Sequence, residues 1–231
     1  MRRAPAFPRF QAVADHAVLV EFAETISDIA HDEVLSLDAK LAKSPISGCT
    51  EAVPAYVSLL VCFDPIVTDH IRIEAEILSL LNTPSISAAK GILRDVDICF
   101  DPEFSSDLPE VCALTGLSRD DAIMAYVSKK YKVVMYGFAP GYAYLGGVAH
   151  QLQLPRKPKA KRDVPAGSVI IAGAQSLITT LTMPTGWWII GRSPTRILSS
   201  DEVRPFLFDV GDEVRFNAID RQTFDEKDAR P

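Results

Sequence analysis

The sequence contains none of the short signatures that mark the large enzyme classes. There is no GxxxxGKS/T phosphate loop, no GxGxxG, no HExxH and no GxSxG, so nucleotide, zinc-hydrolase and serine-hydrolase readings find no support in local motifs. Cysteine is scarce. The four present, Cys49, Cys62, Cys99 and Cys112, form no CxxC pair, and in apolar surroundings a thiol behaves as a small hydrophobe, so reduced thiols are expected. The four histidines, His16, His31, His70 and His150, show no metal-ligand spacing, and no metal is expected. Positive charge is in deficit, with 24 Lys and Arg against 30 Asp and Glu and a net charge of −6. That balance argues against nucleic acid and anionic membrane as partners. No run of about 18 apolar residues occurs, and the start MRRAPAFPRF carries charge without an apolar segment behind it. Neither a membrane span nor export is expected, and the cytoplasm is the expected compartment.

What is present is the composition of an ordinary globular protein, 48% hydrophobic and 23% charged over 231 residues. That length suits two domains. Ala17 to Phe22 is a β-rich run read as a strand, with residues 10 to 16 as its approach. In Ile26 to Lys43 apolar residues recur at steps of three and four behind Ser27 or Thr25 as N-cap, which predicts an amphipathic helix. Residues 50 to 63 return to strand, with Pro54 marking an edge or bulge because it cannot donate to a ladder. Ile71 to Leu81 gives a second helix. The order predicts an α+β N-terminal domain over residues 1–85, closed by the turn formers NTPSISA.

Beyond it, Ile92 to Phe100 reads as a strand, Leu108 to Leu114 and Ser118 to Val127 as short helices, and Tyr131 to Tyr136 as a strand. Ser118 is the expected N-cap, with Asp120 and Asp121 favoured by the helix dipole. From there short strands alternate with Gly and Pro punctuation: VPAGSVIIAG, SLITTLTMP, GWWIIGRSP and DEVRF. This pattern predicts a barrel or sandwich over residues 86–219. Residues 220–231 form a charged tail, expected to fray.

Three stretches carry the candidate chemistry. In GFAPGYAYLGG, Phe138, Pro140, Gly141 and Tyr142 belong to a loop that glycine frees and proline stiffens, as a rigid pocket wall or a tight barrel corner requires. Arg156 and Arg162 flank a basic run ahead of Pro165, Gly167 and Ser168. Two guanidinium groups near a glycine turn with a hydroxyl can hold a carboxylate or phosphate, or they can face solvent. Trp187 and Arg192 lie on a later strand, where the tryptophan either packs in a core or closes the pocket.

Taken together, GFAPGYAYLGG, PRKPKAKRDVPAGSVIIAG and GWWIIGRSP resemble the carboxyltransferase subdomain C and D family, and DHAVLVEF, VPAYVSLLVCFDP and DPEFSSDL fall in the same order, covering roughly residues 9 to 216. The resemblance implies an N-terminal α+β domain followed by a cyclophilin-like closed β-barrel. It implies work beside a carboxyltransferase A/B-type partner, the C-type component of 5-oxoprolinase, together with an A-type component, in ATP-dependent opening of 5-oxoproline to glutamate. ATP is thus the implied cofactor, shared with the partners, and a small amide or carboxylate the implied substrate. Alternatives within the family are an allophanate-type carboxyltransferase or amidohydrolase component and a KipI-like kinase inhibitor without catalysis. Carried onto this chain, Arg156 or Arg162 would bind the substrate carboxylate or a phosphorylated intermediate. Gly167 and Ser168 would supply oxyanion donors, and Gln175 would stand nearby. Three departures stand out: Tyr126 where the family has His, Leu177-Ile178-Thr179-Thr180 where it reads roughly GIYP, and Pro184-Thr185-Gly186-Trp187 where it has PGGW.

Overall fold

The computed structural model describes residues 7–84 and 91–229, which group into two compact units, residues 1–90 and 91–231. The expected boundary after residue 85 lies outside the described residues.

The first unit is a four-stranded antiparallel sheet with two helices. Strands β1 (Arg9–Val13), β2 (Ala17–Glu21), β3 (Cys49–Pro54) and β4 (Ser58–Phe63) stand in the order β1-β2-β4-β3. Pro54 ends edge strand β3, and a register shift between Cys49 and Glu51 bulges it. Helix α1 (Asp28–Lys43) is capped by Ser27, whose Oγ accepts from Ala30 N. Helix α2 (His70–Leu81) is capped by Asp69. Val34, Leu37 and Leu41 of α1 and Ile73 and Ile77 of α2 share a core with the sheet residues Val20, Leu59 and Val61. Buried Lys40 donates to the carbonyls of Leu80 and Thr83, a cation placed where the α2 dipole favours it. One expectation fails here. Residues 10 to 16 are not an approach but the first half of a hairpin, turned at residues 14–16 through Ala14 at φ 50°.

The second unit is a closed barrel. Strands β5 (Leu93–Cys99), β6 (Lys130–Tyr136), β7 (Ala143–Gly146), β9 (Ser168–Ala172), β10 (Gln175–Ile178), β12 (Trp188–Arg192) and β13 (Glu213–Ile219) close in the order β10-β7-β6-β13-β5-β12-β9. A separate ribbon pairs β8 (Lys161–Val164) with β11 (Met183–Thr185). The β5–β13 pair is parallel, and its neighbours are antiparallel. Side chains alternate across the wall. Val169, Ile171, Ile178, Trp188 and Ile190 face the inner core, shared with α3 (Leu108–Thr115) and α4 (Arg119–Val127). Ile170, Ala172, Leu177 and Ile189 face outward and pack with Val164 and Met183 of the ribbon. The stretch SLITTLTMP is therefore not one strand. It breaks after Ile178, because β10 belongs to the barrel and β11 to the ribbon.

The tail also departs from expectation. Residues 221–228 form helix α5 (Arg221–Asp228), capped by Asp220. Phe224 is 2% exposed, Arg221 bonds Glu103 and Asp225, and Lys227 bonds Asp97. One buried aromatic and ion pairs to distant residues hold a segment that its composition marks as frayed.

Candidate functional site

The strand registers fix two rims of the barrel. Ser168 pairs with Arg192, Val169 with Ile178, and Tyr136 with Ala143 at one rim. Gln175 pairs with Ala172 and with Gly146 at the other. The candidate residues divide accordingly. Phe138 to Tyr142, Pro165 to Ser168 and Arg192 share the first rim. Gln175 does not. Arg156 lies elsewhere again, with its guanidinium 5.7 Å from the ring centre of Trp187, which joins the outward-facing cluster. Arg162, on β8, is exposed.

At the first rim lies a cleft of about 300 Å³. Its floor is the Ala166–Gly167 turn with Thr179 and Thr180, and its wall is Arg192 with the segment 193–198. Asp228, the last residue of α5, closes one side. The floor is cross-braced. Gly167, at φ +82°, donates its N–H to Thr179 O (2.6 Å), and its carbonyl accepts from Ser193 N (2.8 Å). Thr179 Oγ1 accepts from Ser168 N (2.9 Å) and donates to Pro165 O (2.7 Å). Thr180 Oγ1 donates to Pro140 O (2.6 Å), tying the 137–142 loop to the floor. Gly141, at φ +72°, packs against the Leu198 and Thr180 side chains, and an added Cβ would stand 2.7 Å from the Leu198 methyl.

This bracing corrects one expectation. The N–H groups of Gly167 and Ser168 are engaged inside the turn, and Ser168 Oγ, on a residue 3% exposed, donates to Pro165 O at 2.8 Å. None of the three is an open oxyanion donor or nucleophile in this geometry. The cationic residues that line the cleft are Arg192 and Arg196, which sequence reasoning placed only in part: Arg196 was missed. Arg192 makes no ion pair among the described residues; it lies 5.5 Å from the Phe104 ring centre and 5.9 Å from that of Phe224. Phe138 projects from the same rim, 75% exposed and at φ +73°. A bulky side chain in the left-handed region is a strained conformation, and its ring sits 5.7 Å from that of Tyr142.

Part of the basic run is structural. Lys157 forms a buried pair with Asp107, which also accepts from Ile189 N. Lys161 donates to Ser106. The sequence departures find partners as well. Thr179 and Thr180 brace the floor as described, and Thr185 Oγ1 accepts from Trp187 N. Tyr126 is buried in the barrel core, its hydroxyl 2.7 Å from Ser176 Oγ and its ring stacked on Phe216. Burial pushes the Tyr126 hydroxyl far above its ordinary range, so this position carries no proton exchange near neutrality.

Fold and cleft define a closed-barrel protein with an arginine-lined polar cleft at one rim. Residues 8–208 match the carboxyltransferase domain, subdomain C and D, and the chain belongs to that family. It is 28% identical over 230 residues to the B subunit of 5-oxoprolinase from Bacillus subtilis (strain 168), covering 94% of this chain and 95% of the relative. The crystal structure of TTHA0988 matches with a TM-score of 0.79 and 32% identity, over 89% of this chain and 40% of that one. The Kluyveromyces lactis urea carboxylase shares the fold, with a TM-score of 0.79 at 15% identity, over 94% of this chain and 22% of that one. Among the described residues no helix is long and apolar enough to cross a membrane.

Proposed function

We propose that this chain is the B-type component of an ATP-dependent 5-oxoprolinase in the cytoplasm, opening 5-oxoproline to glutamate beside a carboxyltransferase A/B-type partner and an A-type component. The observation that carries the reading is the end-to-end match to a 5-oxoprolinase B subunit. The cleft is compatible with it. A guanidinium offers a planar fork of donors that suits a carboxylate, and 5-oxoproline presents one.

In this reading Arg192 and Arg196 hold the substrate carboxylate, and the braced Gly167 turn fixes the floor beneath it. Phe138 and Pro140, exposed above the buried Gly141 and Tyr142, form the rim that meets the partner. Arg156, with Trp187, and Arg162 serve a phosphate-bearing intermediate or the partner from the outer wall, and Gln175 from the far rim. The hydroxyls of Ser168, Thr179 and Thr180 are committed within the protein, and in this reading the attacking group and the ATP chemistry come with the partners. Shared labour fits TTHA0988, in which this fold is 40% of a longer chain. The α+β character of the first unit and the cyclophilin-like character of the barrel belong to the same proposal.

The test is co-expression with a carboxyltransferase A/B-type partner and an A-type component, co-purification, and measurement of ATP hydrolysis dependent on 5-oxoproline. Turnover by the complex that falls at least tenfold in Arg192→Gln supports the reading. A stable complex without 5-oxoproline-dependent ATP hydrolysis overturns it.

A further inference from the structure

Helix α5 lies beyond the stretch matched by the family, which ends at residue 208, yet it reaches the cleft in two ways. Phe224 and Phe104, 4.5 Å apart between ring centres, both lie beside the Arg192 guanidinium. Aromatic faces attract a cation without neutralising it, so Arg192 is held in place with its donors unspent on any carboxylate among the described residues. Asp228, at the end of the same helix, brings a carboxylate into the cleft lining. A carboxylate at a helix C-terminus opposes the macrodipole, and among the described residues the Asp228 side chain makes no hydrogen bond or ion pair that would offset this. Its position is not explained by the stability of α5.

With Arg192 and Arg196 the cleft therefore carries two positive charges and one negative. Such a site complements a monoanion that also bears a hydrogen-bond donor. We propose that α5 completes the cleft, with Asp228 accepting the ring N–H of a cyclic amide whose carboxylate lies on Arg192 and Arg196. The inference rests on the reading of the cleft as a 5-oxoproline site and adds the group that distinguishes a lactam from other small carboxylates. A site that places an acceptor for a substrate N–H discriminates against an isostere lacking the donor more strongly than hydrophobic contact can.

The experiment titrates the full-length chain by calorimetry with two probes. One is 5-oxoproline; the other is its lactone analogue, 5-oxotetrahydrofuran-2-carboxylate, in which oxygen replaces the ring N–H. The wild-type chain is expected to prefer the lactam by about tenfold, about 1.4 kcal/mol. Asp228→Ala is expected to abolish that preference by weakening the lactam alone. Arg192→Gln is expected to weaken both probes together. Asp228 is exposed, so its variant is expected to keep the wild-type thermal midpoint. A preference that survives in Asp228→Ala overturns the role of Asp228 while leaving the cleft reading intact. No binding by the wild-type chain, or lactam binding unchanged in Arg192→Gln, overturns the cleft reading and the inference with it.

Discussion

Replacing Gly167 with alanine perturbs the cleft floor at the point where it is most tightly braced. At φ +82° an L side chain costs about 1–2 kcal/mol, and the added Cβ would stand 2.7 Å from the Ser193 carbonyl oxygen. That oxygen cannot simply swing away, because Ser193 N is bonded to Gly167 O and Gly167 N to Thr179 O. Relief moves the 193–198 wall or stretches both bonds, and overpacking of this kind adds about 1–3 kcal/mol. The total is about 2–5 kcal/mol. Gly116 supplies the control. It ends α3 at φ +72° with nothing within 4 Å of its missing Cβ, so Gly116→Ala carries the conformational cost alone. Urea unfolding followed by the fluorescence of Trp187 and Trp188 measures both variants. Gly167→Ala is expected to be the less stable by about 1–3 kcal/mol. Equal losses, within about 0.5 kcal/mol, would refute the claim that the floor and wall are rigidly coupled.

Asp107→Ala strands Lys157, whose side chain is 10% exposed, and leaves Ile189 N without its acceptor; a loss of about 3 kcal/mol in urea denaturation is expected. The Tyr126, Tyr131 and Tyr136 hydroxyls are all raised by burial. The folded state therefore holds their protons more tightly than the unfolded chain does. Stability should be intact below the unfolded tyrosine pKa of about 10 and fall as pH rises beyond it. Tyrosinate absorbance from these residues should appear only together with loss of circular dichroism. Arg156→Ala and Arg162→Ala, both on exposed residues, should shift stability by less than about 0.5 kcal/mol. Their effect should be read in the ATP hydrolysis of the reconstituted complex, and full activity in both would remove them from the site.

Helix α1 was legible because its apolar face repeats at helical spacing over four turns, and the barrel strands because Gly and Pro punctuate them. Helix α5 was not, since its single buried residue, Phe224, gives no period, and its ion pairs reach Asp97 and Glu103, more than a hundred positions away. The hairpin at Ala14 was hidden for lack of glycine or proline in its turn. Of the cleft lining, the sequence pointed to Gly167 and Arg192, while the Gly137 to Tyr142 loop joins the floor through the bond from Thr180 to Pro140. What spacing could not supply was strand register, which decides that Gln175 sits at the opposite rim and that Trp187 and Arg156 lie outside the wall. Nor could it reveal that the Gly167 and Ser168 donors are consumed by a threonine eleven residues on from Ser168.

The parallel pairing of β5 with β13, in register from Leu93 with Glu213 to Cys99 with Ile219, sets an order of events at the ribosome. The first strand of the barrel gains its parallel partner only when the last strand has been made. At about 5–20 residues per second, the intervening chain takes about 6–25 s to synthesise. Throughout that interval β5 has an unpaired edge toward β13, and β6 likewise awaits the strand that pairs with it through Val214 and Tyr131. Nascent chains of this protein are thus open to strand-edge association for many seconds. A chaperone that covers exposed strand edges would raise the yield of folded protein more than faster translation initiation would.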